Sequence, residues 1–120
     1  MKLLYAEDEI SMSEAVVDIL TYHKYIVDAV YDGAEAMAYA QAETYDGIIL
    51  DIMMPKLDGF TLTEQLRNAN YDMPILIITA LDGLEDKRRG FRAGTDDYMV
   101  KPIDVNEMVW RVEALLRRSQ

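Results

Sequence analysis

Apolar positions along this chain follow two alternating rhythms. Short unbroken runs come first: Leu3-Leu4-Tyr5-Ala6, Ile26-Val27-Asp28-Ala29-Val30, Gly47-Ile48-Ile49-Leu50, Pro74-Ile75-Leu76-Ile77-Ile78-Thr79-Ala80 and Asp97-Tyr98-Met99-Val100-Lys101. Runs rich in β-branched residues, apolar on both faces, predict strands buried inside a parallel sheet. Between them the spacing turns helical. Met12, Val16, Ile19, Leu20 and His23 follow helical spacing, so a first helix buries one face and reaches its end near His23; a Ser11–Glu14 capping box opens it. The Asp32-Gly33 turn introduces an alanine-rich helix, Ala34 to Glu43, with Asp32 and Glu35 as its cap pair. A third helix runs through Leu62 and Leu66 to Asn68-Ala69-Asn70. A fourth, charged and interrupted by Gly90, runs from Leu84 to Ala93 with Gly94 just beyond its end. Asp104 and Glu107 cap the last helix, whose stripe is Met108, Val109, Val112, Leu115 and Leu116.

Strand and helix alternate five times, with connections of a few residues. This predicts an α/β fold: a flavodoxin-like (βα)5 three-layer sandwich around a parallel five-stranded sheet of order 2-1-3-4-5. With 120 residues, no repeat and no linker composition, the chain reads as one domain over 1–120. No apolar run reaches the ~20 residues of a membrane span, and the start turns acidic too soon for a signal peptide. Cysteine is absent, which excludes disulfides and thiolate chemistry. A cytoplasmic location without membrane attachment is expected.

Charge changes the picture of partners. The net charge is −10, yet residues 84–120 hold 8 Lys/Arg against 7 Asp/Glu, while residues 1–83 hold 4 against 15. So acidic a domain is a poor nucleic-acid binder by itself. Its electrostatic partner surface should lie in the last third.

In open parallel sheets ligands bind beyond the carboxyl ends of the strands. Those ends hold Glu7 and Asp8, then Asp51, Thr79 and Lys101; the second strand ends less tellingly in Tyr31-Asp32. An aspartate at a strand end is ordinary loop chemistry, and a lysine before proline can simply be solvated. The five together, at successive strand ends, are harder to dismiss. Three converging carboxylates repel one another, and a hard cation such as Mg²⁺ relieves that repulsion. A lysine and a hydroxyl on the same rim suit a phosphoryl group, with Asp51 as its nucleophile. His23, at a helix end away from these residues, is expected to lie on the surface without a chemical role.

At this point the chain resembles the receiver domains of bacterial two-component response regulators. The resemblance rests on Ala6-Glu7-Asp8-Glu9, Leu50-Asp51-Ile52-Met53-Met54-Pro55, Asp58-Gly59, Ile78-Thr79-Ala80 and Gly94-Thr95-Asp96-Asp97-Tyr98 leading into Lys101-Pro102. It implies that Asp51 accepts a phosphoryl group from a sensor histidine kinase. Asp8, Asp51 and the main-chain oxygen of Met53 would hold Mg²⁺, with Glu7 assisting through water. Lys101, joined to Pro102 by a cis peptide, would contact the phosphoryl oxygens; Thr79 would bond to them, and Tyr98 would turn inward as Thr79 moves. The domain would perform its own phosphorylation and slow dephosphorylation without being a turnover enzyme.

The last third is similar to the winged-helix transcription-factor branch of OmpR/PhoB type. There the resemblance implies a homodimer formed on phosphorylation and joined by Lys87 with Glu107, Asp97 with Arg111, and Asp96 with Arg118. DNA would be reached through a C-terminal domain that this chain lacks, Arg117-Arg118-Ser119-Gln120 looking like the start of a linker. A stand-alone receiver acting only on other proteins is the alternative. Three positions depart from the common pattern: Glu7 for aspartate, Thr95 for alanine and Ile103 for an aromatic. Two other readings fit less well. A phosphohydrolase would want an acid where Met53 stands, and a flavin module would want a phosphate loop where Glu7-Asp8-Glu9 stands.

Overall fold

The computed structural model describes residues 1–119, and the apolar runs do become its strands. They are β1 (Lys2–Ala6), β2 (Ile26–Val30), β3 (Gly47–Leu50), β4 (Ile75–Thr79) and β5 (Asp97–Val100). All pairings are parallel and the order is 2-1-3-4-5. The crossover helices are α1 (Ile10–Tyr22), α2 (Gly33–Ala42), α3 (Gly59–Asn68), α4 (Leu84–Ala93) and α5 (Val105–Arg118). Gln120, at the end of the expected linker, lies outside the described residues.

Alternate residues of each inner strand feed two separate cores. Leu3, Tyr5, Ile49, Leu76 and Ile78 face α1 and α5; Leu4, Ile48, Leu50, Ile75 and Ile77 face α2 and α3. Each fully buried aliphatic side chain contributes about 1.5–3 kcal/mol, so β1, β3 and β4, buried on both faces, hold the sheet. The flanking strands β2 and β5 include half-exposed residues. The five-residue apolar stripe expected for α5 is buried in full.

The start of α1 differs from the sequence reading. The helix begins two residues earlier than a Ser11 cap requires, with Glu9 at its N-cap and no side-chain cap; Ser11 Oγ donates instead to Glu9 Oε1 at 3.3 Å. The start is set by Glu7, whose carboxylate accepts the Glu9 amide at 3.2 Å and turns the chain at once. His23 lies on the surface at the end of the helix, as expected: α1 stops at Tyr22, and the imidazole sits exposed, edge-on to the Tyr22 ring. By contrast α2 is capped as expected, Asp32 accepting the Glu35 amide at 2.7 Å.

The end of the sheet opposite the candidate site is tied by Arg67. Its guanidinium donates to the carbonyls of Tyr71 and Met73 at 2.8 Å and of Gly94 at 2.9 Å, and to Asp96 Oδ2 at 2.9 Å. Thr95, one of the three departures, is buried beside it. Its hydroxyl lies 2.9 Å from the carbonyl oxygens of both Ile75 and Asp97, stapling the start of β5 to β4.

Candidate functional site

The register of the sheet brings the strand ends level. The Asp51 amide donates to Ala6 O at 3.1 Å and the Lys101 amide to Thr79 O at 2.8 Å, so β1, β3, β4 and β5 release their polar residues into one crevice. There Lys101 Nζ lies 2.7 Å from Asp51 Oδ2 and 2.8 Å from Glu7 Oε1. The other Asp51 oxygen, Oδ1, accepts the Met53 amide at 3.1 Å. Glu7 is 1 % exposed and Asp51 5 %, whereas Asp8 stands in solvent. Ligand atoms of Glu7, Asp8 and Asp51 all fall within 4.8 Å of one another.

Electrostatics follows from this burial. Burial pushes the Glu7 carboxyl above the usual carboxylate range; hydrogen bonds from Lys101 and the Glu9 amide oppose that rise without cancelling it. For Lys101, burial favours the neutral amine, but the hydrogen bonds to Asp51 and Glu7 outweigh it and raise its pKa. The site is thus a fixed ammonium held between two carboxylates, with a third carboxylate at its open side. Such an arrangement suits a hard cation and an anionic, oxygen-rich ligand.

The remaining site residues identified from the sequence are distributed around this centre. Thr79 is fully buried, and its hydroxyl has only a 3.5 Å contact from the Leu81 amide. Tyr98 faces inward, its hydroxyl donating to Leu81 O at 2.8 Å, and burial pushes its phenol up to about 12. Leu81 therefore touches both Thr79 and Tyr98. Sequence reasoning missed it because the link runs through main-chain atoms, which carry no residue signature. Met53 exposes its side chain and engages Asp51 through its backbone alone. The Lys101–Pro102 peptide is cis. Ile103 packs, half-buried, onto the α1/α5 core and lines a cavity of about 430 Å³ beside Lys101 with Met12, Ala15 and Pro102.

The six residues expected at a dimer surface lie on α4, β5 and α5 and just ahead of β5, none of them among the carboxylates that form the crevice. Within the single chain Arg111 already pairs with Asp97 at 3.0 Å and approaches Glu107 at 3.9 Å. Asp96 is engaged by Arg67 and by the Ile75 amide at 2.8 Å. Arg118 and Asp96 line one shallow cavity with Asp72, and Lys87 is half-buried on α4.

A five-stranded parallel sandwich of this order, with an acid-and-lysine crevice at its strand ends, defines a receiver-type α/β domain. The profile of the response regulator receiver domain matches residues 3–113, and the chain belongs to that family. Over 119 residues it is 47 % identical to protein RcaC of Microchaete diplosiphon, covering 99 % of this chain and 18 % of that protein. It is 38 % identical to response regulator MprA of Mycobacterium avium over 120 residues (100 % and 53 %), and 40 % identical to transcriptional regulatory protein CiaR of Streptococcus pneumoniae over 119 residues (99 % and 53 %). The chain thus spans about half, or less, of the length of these relatives. Among solved structures, the receiver domain of Francisella response regulator 1452 superposes with a TM-score of 0.96 at 34 % identity, covering 99 % of this chain and 98 % of that one. As a receiver domain it is a signalling element rather than a classical enzyme. No helix among the described residues is long and apolar enough to cross a membrane.

Proposed function

We propose that this chain is a phosphorylation-controlled switch in which Asp51 accepts a phosphoryl group from a sensor histidine kinase. The observation that carries the reading is the buried Asp51 carboxylate, 2.7 Å from the Lys101 ammonium and within a cluster of three acids. A carboxylate oxygen of Asp51 forms the new P–O bond as the P–N bond to the donor imidazole breaks, and the leaving nitrogen keeps the electron pair. Lys101, held charged by its two partners, neutralises the phosphoryl oxygens from one side. Thr79, whose hydroxyl is buried with one long contact, is free to turn toward them.

The donor set fits Mg²⁺, because all three clustered groups are hard carboxylate oxygens. Asp8, Asp51 and the Met53 main chain would hold the ion, with Glu7 beside them. When bound, Mg²⁺ supplies the positive charge that lets an anionic carboxylate meet an anionic phosphoryl group.

Output follows from the linkage of Thr79 and Tyr98 through Leu81. A hydroxyl drawn toward the phosphoryl group shifts the loop between β4 and α4, and the face built by α4, β5 and α5 changes its affinity for a second copy. That face carries exposed Leu84, Phe91 and Trp110 among its charges. Lys87–Glu107, Asp97–Arg111 and Asp96–Arg118 would then pair across the dimer, giving up the pairings made within one chain. Exposed pairs contribute only about 0.2–1 kcal/mol each, so they set register more than affinity. The relatives named transcriptional regulatory protein and response regulator support a DNA-binding output of OmpR/PhoB type, supplied by a further domain in the cytoplasm.

Incubation with Mg²⁺ and a small-molecule phosphodonor tests the reading. Intact mass should show one phosphoryl adduct, accompanied by a shift toward dimer, and Asp51→Asn should lose both. A wild-type protein that stays unmodified with every donor, or an adduct that survives in Asp51→Asn, rules it out.

A further inference from the structure

The segment from Ile52 to Asp58 joins Asp51 to α3, and it is clamped from two sides. On the α3 side the Gly59 amide donates to Ile52 O at 2.9 Å, and a Cβ at Gly59 would stand 2.4 Å from Asp51 O. The second side is less expected. The Gly33 amide, first in α2, donates to Pro55 O at 3.2 Å, and Asp32 Oδ2 reaches Lys56 Nζ at 3.7 Å. The fit leaves no room for a side chain: a Cβ at Gly33 would lie 1.9 Å from Leu57 O. Lys56, at the crest, holds a left-handed φ of 71°, so the loop is locked in a shape that most residues resist.

The inner side of this loop is the Met53 amide, which holds Asp51 Oδ1 at 3.1 Å. A continuous backbone path therefore runs from the α2 N-terminus through Pro55 to the acceptor carboxylate. Neither β2 nor α2 contributes a residue to the crevice, yet α2 fixes the height of the loop that does. We infer that Asp32-Gly33, at the start of α2, is a positioning element for the Asp51 site, setting where the Met53 main chain meets the acceptor carboxylate. This rests on the switch reading of that site.

Gly33→Ala separates this role from ordinary helix stability. Gly33 has no left-handed φ, and alanine is a better helix former than glycine, so the backbone of α2 itself does not oppose the change. The added methyl instead pushes on the Leu57 carbonyl. Groups that orient metal and acceptor ligands typically alter affinity 10–100-fold when disturbed. Gly33→Ala should therefore weaken Mg²⁺ binding, measured by isothermal titration of the unphosphorylated protein, by about tenfold. Lys56→Ala, which removes only the exposed ion pair, should change it by less than about twofold. Mg²⁺ affinity that stays at the wild-type value in a folded Gly33→Ala protein overturns the inference, whatever happens to its stability. Should that variant not fold, the wild type still decides: Mg²⁺ should shift the backbone amide resonances of Gly33 and Met53 together, and Met53 shifting alone overturns it. Failure of the switch reading looks different, since the wild type itself would then neither bind Mg²⁺ nor form the adduct.

Discussion

Helices α4 and α5 flank the same strand, β5, and are built on opposite terms. α5 is capped by Asp104, which accepts the amides of Asn106 and Glu107 at 2.8 and 3.3 Å, and it buries Met108, Val109, Val112, Leu115 and Leu116. α4 has Gly83 at its N-cap without a side-chain bond, and it buries only Gly90 and Ala93. Leu84, in its first turn, is 80 % exposed. Charge complements the α4 dipole, with Glu85 and Asp86 in the first turn and Arg92 in the last, but such terms amount to only about 0.3–1 kcal/mol each. One helix is anchored by its core. The other rests on the sheet through a glycine, against the Tyr98 ring that itself reports on the loop after Thr79. A segment with few buried apolar contacts opens at lower cost, so on the proposed switch reading α4 is the part of the proposed dimer face expected to respond to the site.

Truncation inside the anchored helix should have the largest effect. Met108→Ala, at a position with no exposure, should cost about 2–5 kcal/mol in urea unfolding, whereas a loss below ~1 kcal/mol would mean α5 is not the anchor. Gly90→Ala should have a smaller effect. Alanine favours the helix by up to ~1 kcal/mol, but its methyl would meet the Tyr98 ring at 3.0 Å, so net stability should move by less than about 1 kcal/mol. The Tyr98 ring resonances should shift at the same time; unchanged resonances would show that α4 does not seat on the ring.

The subtlest effect is alkaline. The folded Tyr98 phenol is raised to about 12 from the ordinary value of about 10, so the native state favours the protonated form. Its contribution is full below pH ~10 and is lost as pH rises through the folded value. Tyr98→Phe should flatten the decline of stability between about pH 10 and pH 12, measured by urea midpoints. An identical decline in both proteins would mean that burial and the nearby Asp86, Asp51 and Asp82 carboxylates do not hold the phenol neutral.

Much of this could be read along the chain because local chemistry repeats with a period. Strand runs and the α5 stripe signal themselves over several residues, so their placement needed no partner. The end of α1 did not: its N-terminus answers to Glu7, a residue outside the helix whose carboxylate turns the Glu9 amide, and the Ser11–Glu14 pattern had no knowledge of that. The candidate site was legible as residue types at strand ends, yet Leu81 was invisible because its part is played by its amide and carbonyl. Asp96 and Asp97 read as groups awaiting a partner, while Arg67 and Arg111 engage them within the chain.

The sequence by itself determined the alternation of strand and helix, the strand order expected of such a fold, and the identities of Glu7, Asp8, Asp51, Thr79 and Lys101 as the polar groups of one rim. These follow from periodicity and side-chain chemistry, which are local properties. Tertiary structure alone decided that Lys101 bridges Glu7 and Asp51, that Tyr98 hangs from the Leu81 carbonyl, and that Gly33 braces the loop carrying Met53. Those are contacts between segments far apart in the chain. Their distances depend on how whole elements pack, and no short stretch of residues encodes them.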